Sequence, residues 1–244
     1  MKIAERFEKL RGYWPTDFDH IIRNDEVFFE LVSELSNHPW ERNILDKKLK
    51  ELVLLAINAS TTHLNEQGIR QHMRGALLNG ATKEEITEVL ELTSVLGIHS
   101  CTVGVPILVK EVSKIHAAGD STPLTSRQIE IREDFKKERG YWSDELWGAL
   151  LGLDPDYLQK YTNYSSHPWK HGVLPPKIKE LIYTAIDAST THLYEPGLRQ
   201  HISNALRYGA TPQEILEVLE VVVEIGLQTC EIGFKILDEV STKI

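Results

Sequence analysis

Two imidazoles, a carboxylate and an arginine stand within ten residues of one another, and they do so twice. The first set is His63, Glu66, Arg70 and His72; the second, 129 residues on, is His192, Glu195, Arg199 and His201. Imidazole takes and gives a proton near neutral pH, so His72 and His201 are candidate general acid–base groups. A buried carboxylate can hold one tautomer of such a ring, and Glu51 and Glu180, each 21 residues upstream, supply one. Either histidine reads equally well as a core residue bonded to a backbone carbonyl. Arg70 and Arg199 can grip a substrate carboxylate through two parallel bonds. They can as readily pair with Glu66 and Glu195 one helical turn back. His63 and His192 follow Ser-Thr-Thr at a helix end, where they would contact substrate or cap the helix dipole. His63, Glu66 and His72 also have the types of a two-histidine, one-carboxylate metal site. Nine residues across a turn do not dictate convergence, so no metal ligand is assigned and no cofactor is expected.

These residues belong to a tandem duplication. Asn58 to Thr82 matches Asp187 to Thr211 at 16 of 25 positions, with Ser-Thr-Thr-His, Glu, Gly, Arg-Gln-His and Gly-Ala-Thr kept. The chain divides into units 1–118 and 124–244, joined by a short Gly/Ser/Pro-containing linker at Ala117 to Pro123. Within each unit the apolar spacing is helical. Asp25 caps a helix toward Leu35, and Asp154-Pro155 opens its counterpart. Both run into Ser-x-His-Pro-Trp, and because a residue before proline disfavours helix, His38 and His167 are expected in turns. A strongly apolar helix follows, from about Asp46 to Ala59 and from Pro175-Pro176 to Ala188, as a buried helix would be. Glu51 and Asn58 share one stripe of it, matched by Glu180, Thr184, Asp187 and Thr191. A carboxylate on a buried helix needs a partner or an altered pKa, so this stripe is expected to face a cavity. The next helix runs from near Glu66 or Glu195 to the C′ glycines Gly80 and Gly209. Thr82 and Thr211 then open capping boxes with Glu85 and Glu214. A break near Gly97 or Gly226 precedes the last helix of each unit. No stretch alternates as a strand, so the expected fold is all-α.

Composition narrows the function further. The 244 residues carry a formal net charge of −9 and are 41% hydrophobic. That balance argues against nucleic acid or an anionic membrane surface as partner. No apolar run approaching ~20 residues and no apolar signal core are read, which points to a cytoplasmic protein. The two cysteines, Cys101 and Cys230, are again 129 apart. One thiol per unit is neither a disulfide framework nor a redox pair, and each reads as a small buried hydrophobe. The tryptophans Trp14, Trp40, Trp142 and Trp169 read as packing anchors.

The pattern His72, Ala76, Gly80-Ala-Thr82, Glu85-Ile86, Glu88-Val89-Leu90, Gly97 recurs as His201, Ala205, Gly209-Ala-Thr211, Glu214-Ile215, Glu217-Val218-Leu219, Gly226. It resembles the carboxymuconolactone decarboxylase and alkylhydroperoxidase-like family, over roughly half the chain. The resemblance implies two tandem all-α units related by a pseudo-twofold, with interlocking core helices and assembly as a homo-oligomer, here a dimer or trimer of two-unit chains. The peroxidase branch implies Cys-x2-Cys-x3-His before the Ala-x3-Gly pattern. Counting back from His72 and His201 puts Asn65, Gly68, Tyr194 and Gly197 at those positions, so the thiol chemistry of that branch lacks its nucleophile. The decarboxylase branch implies a lyase without cofactor, acting on a small carboxylated ring compound or lactone, with Glu51–His72 and Glu180–His201 moving the proton and His63, Arg70, His192 and Arg199 at the substrate. The segment between Glu51 and His72 is two or three residues longer than the family pattern and brings in His63. The alternatives are a peroxidase of the other branch, disfavoured by the missing Cys-x2-Cys, and a metal-dependent or non-catalytic helical binding module.

Overall fold

The computed structural model describes residues 3–115 and 123–243. Most of the linker read at 117–123 lies outside them. The described chain is helical, and no strand occurs in it. Fifteen α-helices follow in order: α1 Ile3–Arg11, α2 Phe18–Asn24, α3 Glu26–Arg42, α4 Lys47–Ala59, α5 Glu66–Leu78, α6 Lys83–Ser94, α7 His99–Ile115, α8 Ser126–Arg139, α9 Ala149–Leu153, α10 Pro155–Ser165, α11 His167–His171, α12 Pro176–Ala188, α13 Glu195–Arg207, α14 Pro212–Val222 and α15 Gln228–Ser241. The breaks read at Gly97 and Gly226 are 3₁₀ turns, Val95–Ile98 and Val223–Leu227.

The local signals act as their chemistry dictates. The Asp46 side chain accepts from Leu49 N and starts α4. Thr82 with Glu85, and Thr211 with Glu214, close reciprocal caps. Gly80 and Gly209 end their helices at φ +87° and +83°, where a Cβ would be strained. One expectation fails. His38 is helical, because α3 runs through Pro39 to Arg42. A proline inside a helix deprives the carbonyl four residues back of its donor. Here that residue is Leu35, which is solvent-exposed, while Pro39 and Trp40 gain burial. In the second repeat the break does come, at Ser166, but His167 opens α11 with Pro168 in its first turn, where the missing N–H costs nothing.

The chain forms two compact units that do not follow the repeat boundary: residues 1–93 with 174–244, and residues 94–173. In the first, α15 from the second repeat packs on α2 from the first. Leu227, Cys230 and Phe234 lie against the aromatic cluster of Phe7, Phe18, Ile21 and Phe29. In the other unit, Ile98, Cys101 and Val105 of the first repeat lie against Ile131, Phe135, Trp147 and Leu158 of the second. Each repeat thus receives its last helix from the other. Both cysteines are free and half-buried rather than fully buried.

Inside the first unit the repeats are also locked by two buried ion pairs. Lys50 meets Glu217 at 2.9 Å, and Lys179 meets Glu88 at 2.7 Å. The second oxygens of Glu217 and Glu88 accept from Leu45 N and Leu174 N. A buried charge survives only when paired and hydrogen-bonded. Each repeat here supplies the lysine that the other's glutamate needs. The helical run 83–115 contains a stretch long and apolar enough to cross a membrane by length and composition, longer than the sequence reading allowed. A core helix of a globular protein passes the same test.

Candidate functional site

The α4–α5 pair builds the first site and the α12–α13 pair its repeat, both within the first compact unit. Glu51 and Glu180 sit mid-helix in α4 and α12, at most 1% exposed. His72 Nδ1 lies 2.8 Å from Glu51 Oε2, and His201 Nδ1 lies 2.6 Å from Glu180 Oε2. An ionised carboxylate only accepts, so each Nδ1 carries the proton and Nε2 is left as the basic nitrogen. The stripe Glu51–Asn58 faces inward as read: Asn58 and Asp187 are buried two helical turns along from the glutamates.

Glycine lets the two helices close over this stripe. A Cβ on Gly68 would stand 2.0 Å from Asn58 Oδ1, and one on Gly197 would stand 2.1 Å from Asp187 Oδ2. These are two of the positions where the peroxidase pattern needs cysteine, and a thiol has no room there. Gly75 leaves the same kind of space beside Glu51, its Cβ falling 2.5 Å from the carboxyl carbon.

Around the pair the two repeats diverge. In the first, Asn58 Oδ1 accepts from Gln228 Nε2 at 2.7 Å, and Gln228 Oε1 accepts from His63 Nε2 at 2.6 Å and Asn65 Nδ2 at 2.7 Å. His63 is therefore tied to an amide of α15. In the second, Asp187 replaces the amide, with Oδ1 3.7 Å from His192 Nε2 and Oδ2 3.9 Å from His201 Nε2. Burial pushes the Asp187 carboxyl up to about 7, against the pull of His201 and with a further push from Glu180. Burial likewise lowers the His192 imidazole. Asn204 donates to the free oxygen of Glu180 at 3.1 Å. Gly75 stands at the equivalent place in the first repeat, so Glu51 Oε1 is buried without a hydrogen-bond partner. Tyr183 stacks on the His201 ring at 4.6 Å.

His72 opens onto a cavity of about 20 Å³, room for about one water. Arg11, Glu224, Gln228, Glu231 and Gln71 share its wall. Arg11 is bidentate on Glu224 at 2.7 and 2.9 Å and stacks on Trp40 at 4.0 Å. Its Nε is buried without a hydrogen-bond partner. Burial, and then the nearby Glu51 charge, raise the Tyr13 phenol above its ordinary range, so it stays protonated. A larger, mostly apolar groove of about 230 Å³ lies beside this cavity. It shares Ser36, Glu224 and Leu227 with the cavity wall, and Phe28, Val32, Leu35, Val223 and Cys230 line it beside Glu220 and Gly226. Burial and the adjacent Glu231 raise the Cys230 thiol, which keeps it protonated and a poor nucleophile.

Three expected contributors fall otherwise. Arg70 and Arg199 are more than three-quarters exposed and pair with Glu66 at 2.5 Å and Glu195 at 2.6 Å, the local salt bridges rather than the cavity. Glu66, 77% exposed in that pair, does not join His63 and His72 in a metal-binding trio. Arg11, Glu224, Gln228 and Glu231 were missed because they come from the far ends of the chain. The one sequence signal for them was the repeat itself, which implies that equivalent helices enclose equivalent sites.

The fold is an all-α duplication with a buried carboxylate–histidine pair in each copy. The profile of the carboxymuconolactone decarboxylase family matches residues 26–97 and 155–229, and the chain belongs to that family. It is similar to a crystal structure of a candidate gamma-carboxymuconolactone decarboxylase subunit from Burkholderia xenovorans. The identity is 41%, over 99% of this chain and 96% of that one, with a TM-score of 0.95. An uncharacterised protein of Methanocaldococcus jannaschii is 30% identical over 113 residues, which is 46% of this chain and 98% of that protein. That relative has the length of one repeat.

Proposed function

We propose that the protein is a lyase of the carboxymuconolactone decarboxylase kind, acting on a small carboxylated ring compound or lactone through His72 and His201. The observation that carries this reading is the buried carboxylate–imidazole pair, found at 2.8 and 2.6 Å in both repeats. In the reaction the C–CO2 bond breaks, CO2 leaves, and the electron pair stays on carbon, delocalised into the substrate's carbonyl. The protonated imidazole then gives its Nε2 proton to that carbon. Glu51 stabilises the charged ring and fixes which nitrogen faces the substrate. One proton is consumed per turnover and is regained from water.

The cation at the cavity suits this step. Arg11 is already neutralised by Glu224, so a substrate carboxylate meets only a weak electrostatic grip. Because that carboxylate departs as neutral CO2, a strong ion pair would stabilise the ground state more than the transition state. The apolar groove, which shares wall residues with the cavity, suits the body of the substrate. Exposed apolar residues of α3, Val27, Leu31 and Leu35, support assembly of several copies.

The test is CO2 release from gamma-carboxymuconolactone by the wild type, His72→Asn, His201→Asn and the double variant. We expect the double variant to lose about 10²-fold or more in turnover, the size of a general-acid contribution, with its helical circular dichroism intact. Full turnover in a folded double variant would contradict the reading.

A further inference from the structure

The proton that each turnover consumes has to come from outside, and His72 is 5% exposed. The wall of its cavity holds one other acid that can supply it. Glu231, on α15, lines the same water-sized space as His72 and is itself half-buried, so it stands between that space and solvent. Among the described residues no hydrogen bond or ion pair ties its carboxylate down. The charges around it are His72 from α5, Asp17 ahead of α2, Glu224 from the 3₁₀ turn and Arg11 from α1. Lys235, one turn further along α15, is engaged with Asp17 at 3.3 Å. The repeat does not conserve this carboxylate: 129 residues back, in the first repeat, the chain has Thr102, which does not ionise.

We propose that Glu231 is a second acid–base group of the first site, passing a proton through the cavity water to His72 Nε2 after each turnover. The inference rests on the proton-transfer role given to His72 above. In the relay the Glu231 carboxyl gives its proton to the water, the water gives one to the imidazole, and the carboxylate is reprotonated from solvent. No electrons move and no co-reactant is required. Burial, with the charges of Asp17 and Glu224, pushes this carboxyl up to about 7 despite the opposing pull of His72. It can therefore both hold and release a proton at neutral pH, as a relay must.

Two measurements on the full chain test this. The first is a carboxyl carbon-13 NMR titration of Glu231 in the wild type and in His72→Asn. We expect a midpoint near 7 that moves up when His72 is lost. The second is the kinetics of CO2 release from gamma-carboxymuconolactone by Glu231→Gln. We expect kcat to fall about 10-fold or more, KM to hold, the pH profile to lose the limb near 7, and added imidazole to restore rate; a merely structural residue would not be rescued. Wild-type kcat and pH profile in Glu231→Gln, with His72→Asn inactive, would overturn the relay and leave the role of His72 standing. Full activity in both variants would overturn both. If this lactone is not turned over, the titration decides alone: a midpoint at 4–5, or one indifferent to the loss of His72, overturns the proposal.

Discussion

At the scale of residues, the two copies of the site differ most at Asn58 and Asp187, and the difference is measurable as pH-dependent stability. The Asp187 carboxyl is raised from 3.8 to about 7 in the folded chain, so between those values the folded state holds a proton that the unfolded state has released. Stability then falls as pH rises through that window and levels off above it. Asp187→Asn removes the effect, and Asn58, whose amide donates to Leu54 O and accepts from Gln228, shows that an amide can be housed there. We expect Asp187→Asn to be more stable than the wild type at pH 8 by on the order of 1–3 kcal/mol and about equal to it at pH 4. Urea unfolding at the two pH values checks this; an equal gain at both would contradict it. The glutamate–histidine pairs were legible in the sequence because each lies on an inward stripe of its helix. The arginines were not, because i−4 pairing and ligand binding ask for the same residue types at the same spacing.

At the scale of elements, Gly75 decides how α4 and α5 close on Glu51. Alanine in a helix normally gains about 1 kcal/mol over glycine. Here its Cβ would stand 2.5 Å from the Glu51 carboxyl carbon and push that carboxylate off His72. We expect Gly75→Ala to lose about 1–3 kcal/mol, the cost of a displaced buried hydrogen-bonding group. Gly75→Asn should lose less, since its amide can meet Glu51 Oε1 as Asn204 meets Glu180 Oε1. Thermal unfolding of the two variants ranks them, and alanine proving the more stable would contradict the close approach. Caps and C′ glycines were readable because they act within four residues. The helical path through Pro39 was not, because the burial of Trp40 that offsets it is tertiary. Nor was the turn before α5 and α13, where Leu64 and Leu193 take positive φ; leucine gives no sign of that conformation.

At the scale of the molecule, the duplication was plain but the exchange of last helices was not. Sequence self-similarity marks where a copy begins and ends. It does not say which copy's helix fills which core. Without α15 and the turn before it, the cluster around Phe7 and Phe18 loses Leu227, Cys230 and Phe234. The first repeat expressed alone, residues 1–115, should therefore be unfolded or pair with a second copy that lends the missing helix. Sedimentation with circular dichroism distinguishes these outcomes from a folded monomer, which would contradict the exchange.

The proposed chemistry rests on Glu51 holding Nδ1 of the imidazole, so that Nε2 is the nitrogen that takes up and gives the proton. Nitrogen-15 NMR of the neutral ring of His72 reads that state without any substrate. The account predicts a proton on Nδ1, facing Glu51, and an unprotonated Nε2, with the preference weakened in Glu51→Gln. A proton on Nε2 in the wild type, with Nδ1 bare, would contradict it.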